Sequence, residues 1–215
     1  GKSMHIPIAQ PSLGNEESDA VLTVLASGMI AQGPVTAAFE EEFAAYCGIP
    51  HAVAVSNGTT ALHAALLAAG VGPGDEVIVP AFTFFATASS VSMCGARPVF
   101  ADVDAATATI DPADVLAKVT PKTKAVIGVH LYGQPCDAGA IREICDDKGL
   151  VFIEDAAQAH GATYQGKKTG SLGDLACFSF YATKNLATGE GGMVTTASDE
   201  YDARLRRIIN HGQSE

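Results

Sequence analysis

The stretch Leu150-Val-Phe-Ile-Glu-Asp-Ala-Ala-Gln-Ala-His-Gly161 decides the fold. Its apolar run has the length and β-branched content of a strand covered on both faces, the pattern of a parallel sheet held between layers of helix. The run ends in two carboxylates, Glu154 and Asp155. Successive strand side chains point to opposite faces, so these two do not work as a paired acid and base. One of them is expected to face a ligand at the carboxyl edge of the sheet, where α/β proteins bind small molecules. Asp155 is the better candidate, because a buried carboxylate at that place can pair with a ring N–H.

Further along, Leu175-Ala-Cys-Phe-Ser-Phe-Tyr181 holds apolar and aromatic residues with a single hydroxyl, Ser179, and reads as a second buried strand. The polar run after it places Lys184 where that strand leaves the sheet, before the glycine-rich turn Gly189-Glu-Gly-Gly192. An enclosed lysine there loses solvation of its charged form and its pKa falls, as a Schiff-base lysine requires. The competing reading is a solvated loop lysine, since lysine is almost never fully buried.

On the amino-terminal side, His51-Ala-Val-Ala-Val55 is a short strand that opens into a helix, Ser56 to Gly70, with capping residues at its start and glycine at its end. The free N–H groups of Gly58 and Thr59 and the helix dipole make that turn an anion site in principle, as at any capped strand-to-helix turn. The same alternation continues through strand Glu76–Pro80, helix Thr83 to Met93, strand Pro98–Ala101, strand Lys124–His130 and helix Asp137 to Asp147, which implies a largely parallel sheet. Phe82, Phe84 and Phe85 follow the second strand and at bare spacing read as core. His130 reads as a satisfied core histidine, whereas His160 is open between that and a base facing the ligand. Glu16 to Ser27 and Val35 to Cys47 have helical periodicity, with Val21, Leu22 and Leu25 on one face and Phe39, Phe43 and Tyr46 on another. The loop between them, Gly28 to Pro34, carries no assigned role.

A chain of 215 residues with 47% hydrophobic content can bury a sizeable core. The net charge of −11, with no basic run beyond Arg204-Leu-Arg-Arg207, makes nucleic acid or an anionic membrane a poor partner. Five cysteines, Cys47, Cys94, Cys136, Cys145 and Cys177, lack any C-x-x-C spacing, which argues against a disulfide framework or zinc site and fits a reducing cytoplasm. No metal is expected. No dinucleotide, P-loop or nucleophile-elbow motif is present. Gly1-Lys-Ser3 ahead of Met4 reads as a remnant placed before a natural start.

Three stretches, Glu154-Asp-Ala-Ala-Gln-Ala-His-Gly161, Gly170-Ser-Leu-Gly-Asp174 and Phe178-Ser-Phe-Tyr-Ala-Thr-Lys-Asn185, closely resemble the DegT-type nucleotide-sugar aminotransferases, which are fold-type-I pyridoxal-phosphate enzymes. The resemblance runs from about Ile6 to Gly212. It implies an α/β fold with a mostly parallel central sheet and helices on both faces, like the large domain of aspartate aminotransferase. Residues 1–215 would form that cofactor-binding domain with an N-terminal helical segment, and the smaller C-terminal domain of the family would be missing, so the chain is expected to be a fragment. The implied cofactor is pyridoxal 5'-phosphate, carried as pyridoxamine phosphate during turnover. Lys184 would be its Schiff-base partner and Asp155 its ring-nitrogen partner. Gln158 would meet the ring hydroxyl, Phe84 would stack on the ring, and Gly58, Thr59 and Ser179 would hold the phosphate. The amino donor would be glutamate, the acceptor a nucleotide-linked keto sugar, and the assembly a cytoplasmic homodimer. Two rivals stand beside this: a non-catalytic module that binds the cofactor or a sugar nucleotide, and a sugar dehydratase of the same family, which typically carries histidine where this chain has Lys184.

Overall fold

The computed structural model describes residue 4, residues 6 and 7, and residues 9–213; the reading of Gly1 to Ser3 as a remnant lies outside the described residues. Seven strands form one sheet in the order β1-β9-β8-β5-β4-β2-β3. They are β1 (His51–Val55), β2 (Glu76–Pro80), β3 (Arg97–Ala101), β4 (Thr123–Val129), β5 (Val151–Asp155), β8 (Leu175–Ser179) and β9 (Gly192–Thr196). The pairs β3 with β2, β2 with β4, β4 with β5 and β5 with β8 are parallel. Only β9 runs the other way, antiparallel to both β8 and β1. A two-stranded hairpin, β6 (Thr163–Tyr164) with β7 (Lys167–Lys168), stands apart, its turn built on Gln165 and Gly166 at positive φ. The expected α/β fold with a mostly parallel sheet is what the molecule has.

Side-chain alternation splits the core into two layers. Val77, Val79, Ile127, Ile153, Leu175 and Cys177 face α3 (Gly58–Ala68), α4 (Ala86–Met93) and α7 (Asp199–Ile209). Their neighbours in sequence, Ile78, Val126, Phe152, Ala176 and Phe178, face α2 (Pro34–Cys47), α5 (Pro112–Lys118) and α6 (Ala138–Lys148). Each buried strand is apolar on both faces because helices cover both, which is why its sequence reads as a run rather than as an alternation. The remaining helix, α1 (Asn15–Ser27), buries no residue, and Val21, Leu22 and Leu25 lie exposed along it. All five cysteines are buried free thiols. Among the described residues no helix is long and apolar enough to cross a membrane.

Candidate active site

Register and alternation determine which side chains gather at the carboxyl edge. On the face shared with α3 and α4, Val129 of β4 pairs with Asp155 of β5, Asp155 pairs with Cys177 of β8, and Ser179 lies two residues further along β8. Val129, Asp155 and Ser179 therefore line one cavity, of about 490 Å3, at the ends of three adjacent parallel strands. The N-terminus of α3 supplies Asn57, Gly58 and Thr59; the loop after β2 supplies Thr83 and Phe84; the segment after β5 supplies Gln158; and the loop after β8 supplies Tyr181, Lys184 and Glu190. All seven site residues read from the sequence, Gly58, Thr59, Phe84, Asp155, Gln158, Ser179 and Lys184, thus line the same space.

Asp155 is buried, with 6% of its surface exposed. Burial pushes its carboxyl pKa up; hydrogen bonds donated by the Thr87 hydroxyl and the Ala157 amide, and the charge of Lys184, pull against that. Its neighbour Glu154 points through to the far face and is sealed there. One oxygen of Glu154 accepts from the amides of Leu172 and Gly173 at 2.7 and 2.8 Å, the other from His130 Nε2 and the Gly170 amide, both at 2.9 Å. The Cys136 amide donates to His130 Nδ1, so the ring proton sits on Nε2 and goes to Glu154. His130 is the satisfied core histidine expected of it.

The phosphate-binding expectation rests on the start of α3. Asn57 caps the helix, its side chain accepting from the Thr60 amide, and its carbonyl accepts from the Ala61 amide. That leaves the Gly58 and Thr59 amides without a partner inside the helix, facing the cavity beside Ser179. Position 58 has no room for a side chain: a Cβ there would lie 2.8 Å from the Ser179 Cβ. Glycine is what lets the helix start and the strand end come together around a small anion.

Lys184 occupies a loop pinned at both ends, by the Thr188 amide to the Phe180 carbonyl and by a bridge between Tyr181 and Gly189. It is half-buried. The expectation of an enclosed lysine is corrected to that extent: the loop carries it past the apolar layer to the wall of the cavity. Gln158 is oriented by the Tyr132 amide, which donates to its Oε1 at 2.7 Å and leaves the amide nitrogen for the cavity. The aromatic cluster is also corrected. Phe82, Phe84 and Phe85 are exposed rather than core, because the chain leaves the sheet at Pro80 before any of them can turn inward, and Phe84 becomes a wall of the cavity mouth. His160 resolves to a packing role: it does not line the cavity, and lies against Phe178 and Phe180 with Nε2 donating to the Ser179 carbonyl at 2.8 Å. Burial lowers its pKa, in keeping with a neutral ring. Thr83, Thr87 and Glu190 were not picked out from the sequence; the Thr83/Thr87 spacing of four residues at a helix start is a signal, but an unspecific one.

This site suits a flat cofactor with a ring nitrogen at one end and a phosphate at the other. A carboxylate, a pair of free helix amides with a hydroxyl, a lysine and an exposed phenyl ring are all present around one cavity. Comparison with known proteins agrees. The GDP-perosamine synthase of Caulobacter vibrioides is 51% identical over 208 residues, covering 96% of this chain and 56% of that protein. The solved structure of S. venezuelae DesV superposes with a TM-score of 0.91 at 47% identity, covering 94% of this chain and 54% of that one. Spr1654 from Streptococcus pneumoniae, solved in a PLP-form, gives a TM-score of 0.94 at 34% identity over 98% of this chain and 59% of its own. The chain spans about half the length of the curated relatives it matches. Residues 11–215 match the model of the DegT/DnrJ/EryC1/StrS aminotransferase family, and the chain belongs to that family.

Proposed function

We propose that the protein is a pyridoxal-phosphate-dependent aminotransferase that moves an amino group from glutamate to a nucleotide-linked keto sugar, and that residues 1–215 are its large cofactor-binding domain. The observation that carries this is the meeting of Lys184 and Asp155 in one cavity with the free amides of Gly58 and Thr59. Two of its relatives are named GDP-perosamine synthase, a name from nucleotide-sugar chemistry. Activity is assigned to the whole protein, working as a homodimer.

When bound, the cofactor supplies an electrophilic carbon for the amino group and a ring that takes up the electrons of a broken C–H bond. The chain's own residues do the rest. Lys184 Nζ would hold the cofactor and, as the base at the donor Cα, would carry the proton between that carbon and the cofactor C4′. The Asp155 carboxylate keeps the proton on the ring nitrogen, Gln158 holds the ring hydroxyl, and Phe84 covers a ring face. Gly58, Thr59 and Ser179 fix the phosphate, so that the reacting carbon stays within reach of Lys184.

The acceptor class has a physical argument of its own. A 2-oxo acid needs firm carboxylate recognition, typically by a bidentate arginine. Among the described residues no arginine lines the cavity, and Arg97, Arg142, Arg204 and Arg206 are paired with carboxylates elsewhere. A sugar needs space and scattered hydrogen bonds instead. The dehydratase reading is disfavoured by the lysine itself, and the non-catalytic reading by the joint presence of Lys184, Asp155 and Ser179. The test is chemical: full-length protein mixed with pyridoxal phosphate and reduced with borohydride should carry the adduct on Lys184 by peptide mapping. An adduct on another lysine, or none, overturns the assignment.

A further inference from the structure

Asp155 is held by more than its strand. Its Oδ2 accepts from Thr87 Oγ1 at 2.8 Å, and Thr87 Oγ1 lies 2.9 Å from Thr83 Oγ1. Thr87 has no exposed surface, whereas Thr83 reaches the cavity wall. An ionised carboxylate only accepts, so the one Thr87 proton goes to Asp155, and Thr87 must then accept from Thr83. The result is a chain of two hydroxyls, both oriented, running from the cavity wall across the start of α4 to the buried carboxylate. The other carboxylate oxygen, Oδ1, receives only a long bond of 3.2 Å from the Ala157 amide. The better-held oxygen is thus the one turned toward α4.

We propose that Thr87, oriented by Thr83, is a positioning residue that keeps the Asp155 carboxylate ionised and fixed in rotation, so that its other oxygen is presented to the cavity. The inference rests on the reading of Asp155 as a cofactor partner. Its physical basis is that a buried carboxylate without hydrogen-bond donors reverts to the neutral acid, which cannot hold a proton on a ring nitrogen. The titratable groups around Asp155 are Lys184 on the loop after β8, His130 after β4, Cys177 on β8, Tyr181 and Glu190 in the same cavity and Glu154 on the opposite face of β5. α4 contributes hydroxyls to this set and no charge. Removing the Thr87 hydroxyl therefore changes the donor set of Asp155 and leaves every charge around it in place.

Two readouts separate positioning from simple packing. The first is the protonated-carboxyl stretch of Asp155 in the infrared, followed against pH in protein stripped of cofactor and assigned by its loss in Asp155→Asn. In Thr87→Val, which keeps the shape and removes the donor, the band should persist to higher pH than in the wild type, and Thr87→Ser should restore the wild-type titration. The second is the cofactor dissociation constant, which should rise about tenfold in Thr87→Val and recover in Thr87→Ser. Thr83→Val, on the half-buried end of the chain, should move both readouts the same way by a smaller factor, and it decides the matter if Thr87→Val does not fold. Folded variants that keep the wild-type titration and affinity overturn the proposal. The infrared titration needs no cofactor, so failure of the underlying function would show separately, as absence of a reducible adduct on Lys184 in the unsubstituted protein.

Discussion

Glu154 and Asp155 are adjacent on one strand and end in opposite worlds. On the face toward α6, Glu154 meets four donors from His130 and the segment Gly170–Gly173, and the nearby Asp174 takes a two-pronged bond from Arg142 at 3.0 Å on each arm while also accepting from the Phe152 amide. Every oxygen of those two carboxylates is paired. On the face toward α3 and α4, Asp155 has two donors, one of them long, and looks into a cavity. One carboxylate therefore spends its lone pairs on architecture and the other is left partly unspent. A buried charge with a complete set of partners fixes a loop, whereas one with an incomplete set keeps capacity for a ligand.

The sharpest way to break that contrast is on the paired side. Glu154→Gln turns one oxygen into an NH2 group that must face a backbone N–H or the His130 N–H, so it should destabilise the protein by about 3 kcal/mol. Denaturant titration reads this directly. If Glu154→Gln unfolds at the wild-type midpoint, the far-face network is not what holds the segment from Gly170 to Asp174.

Next in size comes the floor of the open side. Gly58→Ala puts a methyl group against the Ser179 side chain, whose backbone is held by pairing with Gly192 of β9. Helix start and strand end must separate, and cofactor affinity should fall about thirtyfold, roughly 2 kcal/mol of lost phosphate contact. Equilibrium binding measured by absorbance checks it; unchanged affinity would move the phosphate away from α3.

The smallest effect has the opposite sign on stability. Burial raises the folded-state pKa of Asp155 above its unfolded value, so the folded state holds the proton more tightly than the unfolded one. Stability of the apo protein then falls as pH rises from the ordinary carboxylate range through the raised value. Asp155→Asn removes that cost. It should melt slightly higher than wild type at neutral pH, with the difference vanishing as pH falls into the ordinary carboxylate range. A variant that melts lower at neutral pH would mean that Asp155, like Glu154, is architectural.

Much of this was legible along the chain. The bounds of β1 and β2 coincide with the sequence reading, and α1 differs by one residue at its start, because period and end signals are local properties. That Glu154 and Asp155 point to opposite faces followed from alternation alone, whereas which of them lines the cavity did not. The antiparallel β9 was not assigned: Gly189 to Gly192 reads as a turn, and nothing in Met193 to Thr196 says that it inserts between β8 and β1. α5 was also passed over, although Asp111 followed by Pro112 is a helix-start signal and the Asp111 side chain does cap the Ala113 amide. The half-exposure of Lys184 and the outward turn of Phe84 depend on how far a loop carries the chain beyond the sheet, which spacing does not encode. The Thr87 hydroxyl meets Asp155 only because the start of α4 comes up to the end of β5, a tertiary fact.

The central claim is that Asp155 serves chemistry while Glu154 serves structure, and the donor half-reaction of full-length Asp155→Asn tests it most directly. The variant should still form the borohydride-reducible adduct on Lys184, yet pass the glutamate amino group to the cofactor at least about a hundredfold more slowly, since each ~1.4 kcal/mol lost from the transition state is a factor of ten. A wild-type rate in that single-turnover measurement, with the adduct intact, would contradict the account.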